Sequence, residues 1–195
     1  MIRLFGILCK ATLEHLSDES AFQGAAAGFK HYSAHCPGCG AKGKLSPYSN
    51  YSRSLVSYDG GKVRDSRIRP LRFECSSCGR THALLIGSLV PYSPYSLRFM
   101  LIVLIAYFER EITVYDVCGQ FGIAVSTLYS WKHRLLEHKE LALGVLRSLK
   151  TPALDFLKGL FKSDHISDYL DGFFSRYGLS FMQNCAIKSS RSRPP

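Results

Sequence analysis

The sequence predicts an α+β protein in which a small β module precedes an all-α module. Two Cys-x-x-Cys pairs bracket the β module, Cys36 with Cys39 and Cys75 with Cys78. Strand-like alternation and a Gly-Gly turn lie between the pairs, whereas helical periodicity dominates after residue 96. Hydrophobic residues make up 46% of the 195-residue chain, which is enough for a buried core.

Changes of composition divide the chain into four segments and one short linker. Residues 1–35 are a lead-in from which no function can be derived, and residues 36–90 form the β module. Pro91 and Pro94 resist both helix and central strand, so they mark a linker. Residues 96–180 form the helical module. The basic end, residues 186–195, is predicted to be a disordered tail.

The four paired cysteines predict one structural zinc ion. A two-residue gap lets both thiolates of a tight turn face one metal. Gly40 and Gly79 follow the two pairs, and glycine tolerates the positive φ that such turns need. Four thiolates at this spacing suit a closed tetrahedral Zn²⁺ site. We therefore interpret the β module as a zinc ribbon, because so small a domain needs metal to fold.

Other interpretations of the cysteines are weaker. Two disulfides of a secreted protein would use the same residues, but Cys9, Cys118 and Cys185 make the total odd, which favours a reducing compartment. A thioredoxin-like dithiol would leave the second pair without a role. The N-terminal apolar run ends at Lys10, too early for a signal peptide, and the most apolar stretch, residues 99–108, is half a membrane span. We expect a cytoplasmic protein without membrane segments.

Two histidines lie close to the cysteine pairs. His35 precedes Cys36, and His82 follows Cys78 by four residues. Either could replace a thiolate at a metal. Because four cysteines are already available, we expect each histidine to contact a phosphate or a backbone carbonyl instead.

Strands are expected between and after the cysteine pairs. Residues 51–58 alternate weakly, Asp59-Gly60-Gly61 is a hairpin turn signal, and residues 62–74 return toward the second pair as one run. Pro70 indicates an edge or a bulge in that run. Residues 81–86 form a further strand.

Positive charge is concentrated on the β module. The chain carries a net charge of +10, and residues 31–95 hold nine Lys or Arg against three Asp or Glu. Such a field attracts phosphate backbones. Four arginines on the predicted return run are expected to hold phosphates: Arg64, Arg67, Arg69 and Arg72.

Residues 113–139 have the pattern of a helix-turn-helix. Thr113 and Asp116 form a helix-start signal, and Gly122 is placed to end that helix in the left-handed conformation. Ile123 bridges the turn. A second helix, residues 125–140, spaces its apolar side chains for one buried face: Leu128, Trp131 and Leu135. Later helices are predicted from Pro152 to Lys162 and from Ile166 to Tyr177.

The second helix would read double-stranded DNA in the major groove, where short polar and basic side chains address base edges. Seven residues are predicted to do so: Ser126, Thr127, Tyr129, Ser130, Lys132, His133 and Arg134. Trp131 is expected to anchor the core.

Several of these tracts also form a recognisable combination. They are Cys36-Pro37-Gly38-Cys39-Gly40, Leu71-Arg72-Phe73-Glu74-Cys75-Ser76-Ser77-Cys78-Gly79-Arg80-Thr81-His82, Leu89-Val90-Pro91-Tyr92, and Phe121-Gly122-Ile123 with Thr127-Leu128-Tyr129-Ser130-Trp131. Residues 36–138 resemble a bacterial family of uncharacterised proteins that join a zinc ribbon to a helix-turn-helix. They are also similar to the DNA-binding N-terminal regions of insertion-sequence transposases.

The resemblance implies DNA binding without strand transfer. Ala124 occupies the position where such motifs place a capping Ser, so the recognition helix starts at Ser126 or has a weak cap. Nothing resembles the acidic catalytic triad of a transposase, because the later acids fall within one short segment.

The sequence thus predicts a zinc-stabilised DNA-binding protein, either a regulator or a transposition-associated accessory without a catalytic core. We expect no enzyme, because no nucleophile and base are paired and four thiolates leave zinc no open position. The alternative is an adaptor whose helical module binds another protein. The partner is double-stranded DNA in the nucleoid; a homodimer or a transposition or transcription partner stays open.

Overall fold

The computed structural model describes residues 2–4, 27–87, 89–163 and 165–184. The predicted tail, most of the lead-in, Cys9 and Cys185 lie outside these residues. Within the described residues, six strands come before residue 90: β1 Ile2–Leu4, β2 Leu45–Asn50, β3 Arg53–Asp59, β4 Lys62–Ile68, β5 Leu71–Cys75 and β6 Thr81–Ile86. The described residues after 90 form six α-helices: α1 Leu97–Glu109, α2 Val114–Phe121, α3 Val125–Leu143, α4 Val145–Lys150, α5 Ala153–Phe161 and α6 Ile166–Tyr177. The mixed α+β class is confirmed.

The strands form two separate sheets. One has four strands in the order β1-β6-β5-β2, antiparallel except for the parallel pair of β1 with β6. The other is the hairpin of β3 and β4, whose turn residues Gly60 and Gly61 both have positive φ, 55° and 77°. This conformation suits a tight two-residue hairpin turn, so the predicted turn is confirmed.

The return of the chain from this turn differs from the prediction. Residues 62–74 do not form one run, because β4 ends at Ile68 and β5 begins at Leu71 in the other sheet. Pro70 lies between the two strands, where its missing N–H removes no ladder hydrogen bond. Strand β2, which pairs with β5 through a register shift between Pro47 and Ser49, is absent from the sequence prediction.

The β3–β4 hairpin joins the two hydrophobic cores of the molecule. Leu55 and Ile68 belong to the core of the four-stranded sheet. Val56 and Tyr58, on the other face of β3, pack against the helical core. The backbone N–H of Val56 donates to the Pro94 carbonyl at 2.7 Å. The segment predicted as a linker is therefore held against the hairpin.

Helix α1 is the centre of the helical core. The Ser96 hydroxyl accepts a hydrogen bond from the Phe99 N–H at 3.1 Å, which caps the start of the helix. Six of its side chains are fully buried: Leu97, Phe99, Met100, Leu101, Val103 and Leu104. Burial on most sides explains its largely apolar sequence. Among the residues that the structure describes, no helix combines the length and apolarity that crossing a membrane requires.

Helices α5 and α6 lie where the sequence predicted two helices, and the segment after α6 returns to α3. Phe181 and Met182 are buried there. The Met182 N–H donates to Nδ1 of His138 at 3.0 Å, and Nη1 of Arg134 donates to the Met182 carbonyl at 3.1 Å. These bonds hold residues 134–138 of α3 against the segment that follows α6.

Candidate metal centre and candidate nucleic-acid interface

The four paired cysteines form one compact cluster. Their Sγ atoms all lie within 4.8 Å of one another, and both Cys36–Cys78 and Cys39–Cys75 are separated by 3.8 Å. All four are free thiols, and a disulfide would require a sulfur separation of about 2.05 Å. The cluster is therefore compatible with a metal site.

Two matching turns position the four sulfur atoms. The Gly40 N–H donates to the Cys36 carbonyl and the Gly79 N–H to the Cys75 carbonyl, each at 2.8 Å. Both glycines have positive φ, 76° and 67°. A side chain at either position would strain the backbone, which explains the glycine after each pair.

The sulfur spacing fits a tetrahedral ion. Thiolates bound to Zn²⁺ at about 2.3 Å have tetrahedral edges of about 3.8 Å. Two of the six edges have that length here, and no sulfur pair exceeds 4.8 Å. Cys36 and Cys75 are buried, whereas Cys39 is exposed, so the cluster lies at the edge of the sheet core.

His82 contacts the cluster without belonging to it. Its Nε2 lies 3.3 Å from Sγ of Cys36, and the Gly38 N–H donates to the same sulfur at 3.3 Å. A Cβ on Gly38 would lie 3.1 Å from Cδ of Arg80 and 3.4 Å from Cε1 of His82. Sequence reasoning missed this contact. The available signal was the alternation of β6, which places His82 on the same buried face as Leu84.

The thiols do not titrate alike. Burial raises the pKa of Cys36, but hydrogen bonds from the Gly38 and Cys39 N–H groups and from the Cys75 and Cys39 thiols lower it to about 6. The Arg80 N–H lowers the pKa of Cys78, whereas burial and the other thiols raise it, to about 11 overall. The contacts within the cluster thus favour the thiolate at Cys36 and the protonated thiol at Cys78. A cation at its centre would hold all four deprotonated.

Helix α2 begins and ends as the sequence predicts. The Asp116 N–H donates to Oγ1 of Thr113 at 3.2 Å, and the Thr113 N–H donates to Oδ2 of Asp116 at 3.3 Å. Gly122 ends the helix with φ 63° and ψ 38°, and the Ile123 N–H reaches the Cys118 carbonyl at 3.0 Å. Ile123 is buried in the turn.

Helix α3 starts directly after this turn and has two distinct faces. It begins at Val125, and Ala124 provides no side-chain cap. Leu128, Trp131 and Leu135 are buried, as the sequence predicts. The Trp131 ring lies between aromatic neighbours, with centroids 4.8 Å from Tyr95 and 6.0 Å from Phe99.

The seven predicted DNA-contacting residues of α3 divide into two groups. Four have exposed side chains: Ser126, Tyr129, Ser130 and His133. Thr127, Lys132 and Arg134 are half-buried. Lys132 donates to the Tyr107 hydroxyl at 3.0 Å, and Arg134 donates to both the Met182 carbonyl and Oγ of Ser130, each at 3.1 Å. In this structure both cations are directed at the protein.

The four predicted phosphate-binding arginines do not share one strand. Arg64 and Arg67 lie in β4 and are exposed, on opposite faces because three positions separate them. Arg69 is exposed in the connection to β5. Arg72 lies in the other sheet, half-buried, and donates to Oγ1 of Thr81 at 2.8 Å. The prediction of a single row along one strand is wrong.

The comparisons with known proteins give one match. Residues 36–131, just under half of the chain, match the model of a family described as a domain of unknown function (DUF6431). This part of the chain is similar to that family. The matched region begins at Cys36 and ends at Trp131, so it contains the whole cysteine cluster, the turn after α2 and the first turns of α3. No curated protein and no solved structure matches the chain.

Proposed function

We propose that this chain is a double-stranded DNA-binding protein, with one structural Zn²⁺ in a zinc ribbon and with α2 and α3 acting as a helix-turn-helix. Its role would be that of a regulator or a transposition accessory of the nucleoid, without catalysis of its own.

The observation that carries the proposal is the architecture of α2, its turn and α3. A left-handed Gly122 and a buried Ile123 link the two helices. Helix α3 buries one face, and the opposite face is exposed over its first turns. A recognition helix presents the same arrangement to the major groove. The short side chains of Ser126 and Ser130 permit close approach of the helix backbone, while His133 extends farther toward base edges.

The charge of the β module supports the same partner. Arg64, Arg67 and Arg69 are exposed on or beside β4. We propose that Arg67 and Arg69, which are exposed at the end of β4 and just after it, contact phosphates without reading sequence. Arg64 is less available, since its Nε lies 3.7 Å from Oδ2 of Asp59.

Zinc is the ion that the donor set favours. Four thiolates in tetrahedral spacing are typical of closed structural sites. The protein purified under reducing conditions should contain about one Zn²⁺ per chain. Cys39→Ser, at the exposed ligand, should lower that content because it removes one of the four thiolates. A folded, metal-free wild type would contradict the zinc assignment.

Sequence recognition is tested with a matched pair of histidines. His133 and His165 are both exposed. Nε2 of His133 lies 3.4 Å from Oε1 of Glu137, and Nδ1 of His165 lies 3.4 Å from Oδ2 of Asp168. Duplexes enriched from a random pool are bound by wild type, His133→Ala and His165→Ala. We expect His133→Ala alone to shift the preferred sequence or to weaken binding by roughly 1–3 kcal/mol, the value of a base-reading contact. If no duplex is enriched by the wild type, the proposal fails.

Phosphate binding is tested by the salt dependence of duplex affinity. The double variant Arg67→Ala with Arg69→Ala should reduce the slope of log affinity against log salt by about one unit for each phosphate that is no longer neutralised. The control variant Lys162→Ala with Arg176→Ala removes the same charge from exposed positions at the end of α5 and on α6. Equal slopes for both variants would show that only net charge matters.

The alternative function is that of an adaptor whose helical module binds a protein. The exposed aliphatic side chains of α4 favour it: Val145, Leu146 and Leu149. Salt-dependent binding to duplex DNA separates the two functions, because an adaptor has no need of it.

A further inference from the structure

Helix α4 exposes its aliphatic side chains to solvent and buries a serine. Leu146 and Leu149 are 78% and 80% exposed, and Val145 is 57% exposed. The residue that faces the protein is Ser148, which is 9% exposed. Water contact with three aliphatic side chains on a six-residue helix is unfavourable, and such a patch commonly marks an interaction surface.

This orientation of α4 is fixed by a buried lysine. Lys139 of α3 is 6% exposed, and its Nζ donates to the Ser148 carbonyl at 2.8 Å and to the Thr151 carbonyl at 2.6 Å. A cation at these last carbonyls also opposes the negative end of the helix dipole. Rotating α4 to bury its leucines would break both bonds, so the fold presents the apolar face outward.

The surface beside α4 has a complementary shape and charge. A notch of about 390 Å³ lies between α3 and α4, lined by Glu137, Glu140, Leu141, Gly144 and Val145. The two carboxylates are exposed there. Helix α4 itself carries the exposed cations Arg147 and Lys150 next to its leucines. The surface formed by α4 and the notch therefore combines exposed leucines, which lie beside basic side chains, with a recess that is lined by acidic side chains.

We infer that this surface is the interface of a homodimer with two-fold symmetry. In such an interface the same patch serves both subunits, so it must complement itself. An α4 leucine of each chain enters the notch of the other, and Arg147 and Lys150 face the partner's Glu137 and the partner's Glu140. A second copy of this chain is the occupant that matches both the bases and the acids at once. The inference concerns only α4 and the C-terminal half of α3, so it does not depend on DNA binding.

The test is charge reversal with complementation, followed by analytical ultracentrifugation of the full chain without DNA. The variant Glu137→Lys with Glu140→Lys should raise the dimer dissociation constant at least about tenfold through like-charge contacts, and Arg147→Glu with Lys150→Glu should do the same. An equimolar mixture of the two variants should recover the dimer, because a two-fold heterodimer restores both sets of opposite charges. The control Glu111→Lys with Asp171→Lys changes two exposed acids elsewhere and should leave the dimer intact.

Each outcome is decisive. Dimers of the wild type, dissociation of both variants and recovery in the mixture support the interface. A wild type that stays monomeric over a wide concentration range overturns it. Dissociation without recovery in the mixture also overturns the two-fold arrangement. If Leu149→Asp lowers the melting temperature of a monomer, another segment of the same chain covers α4, and the dimer inference is equally wrong.

Discussion

The change of Trp131 to Ala tests which face of α3 is buried. Trp131 is 3% exposed and contacts Tyr95 and Phe99 in edge-to-face geometry. Truncating a buried large aromatic costs roughly 3–5 kcal/mol, of which each aromatic pair accounts for about 0.5–1.5 kcal/mol. At about 2–4 °C per kcal/mol for a chain of this size, the melting temperature should fall by roughly 6–20 °C.

Tyr129 provides the matched control on the same helix. It is 46% exposed, and Nζ of Lys132 lies 5.6 Å from its ring centroid. Its ring also lies 6.3 Å from the Tyr107 ring in edge-to-face geometry, so truncation to Ala should cost about 1–2 kcal/mol, the sum of an exposed cation–π contact and one aromatic pair. Differential scanning calorimetry is the suitable assay, because the chain has a single Trp and the variant removes that fluorophore. Equal melting temperatures for Trp131→Ala and wild type would refute the assigned face.

Three further outcomes are expected. Cys75→Ser removes a buried sulfur from the cluster, so metal content should fall and the four-stranded sheet should lose its fixed structure, as seen by atomic absorption and circular dichroism. Burial and the charge of Arg134 lower the pKa of His138 to about 4. The neutral His138 side chain therefore contributes its full stabilisation above about pH 6.5, and this stabilisation is lost as the pH falls toward 4. His138→Gln should flatten that part of the pH–stability curve. Arg53 donates to the Val90 carbonyl at 2.9 Å and also to the Ser93 carbonyl, so Arg53→Lys should lower the melting temperature, because an ammonium group does not reproduce the contact of the planar guanidinium with two carbonyls.

The features that the sequence predicts correctly depend on a few neighbouring residues. Each of these features is determined by residues a few positions apart in the chain. They are the two Cys-x-x-Cys-Gly turns, the Thr113–Asp116 cap and the left-handed Gly122. The spacing of Leu128, Trp131 and Leu135 likewise defines a buried face from one helix alone. Local chemistry was sufficient for these elements.

The features that the sequence does not predict depend on distant partners. Strand β2 buries only Leu45, so it has no apolar alternation to detect, and it exists through pairing with β5. In the sequence, nothing indicates a partner for the basic side chains of Arg134 and Lys132. In the structure, Arg134 donates to the Met182 carbonyl and Lys132 donates to the Tyr107 hydroxyl. Propensity and charge counts contain no information about such contacts.

The inverted sequence of α4 shows the same limit in a different way. Its apolar residues would ordinarily predict an inward face, whereas in the structure Ser148 faces inward and its carbonyl accepts a hydrogen bond from the buried Lys139. This helix is absent from the sequence prediction. A six-residue element between two helices has too few positions for periodicity to show which side is buried.

Helix α3 connects the proposed DNA contact to the proposed dimer, and its length makes the combination testable. Ser130 is about 20 Å from Leu143 along a helix that rises 1.5 Å per residue. Two such helices that diverge from a shared α4 interface would place their DNA-facing turns of the order of 40 Å apart, close to the 34–36 Å of one duplex turn. We therefore expect the selected sequences to be inverted repeats whose half-site centres are separated by about 10 base pairs. Inserting about five base pairs, half of that turn, between the half-sites should move one half-site to the opposite side of the duplex and abolish cooperative binding. If a dimer forms but single, unpaired sites are selected, the α4 interface holds and the placement of α3 in the groove is wrong.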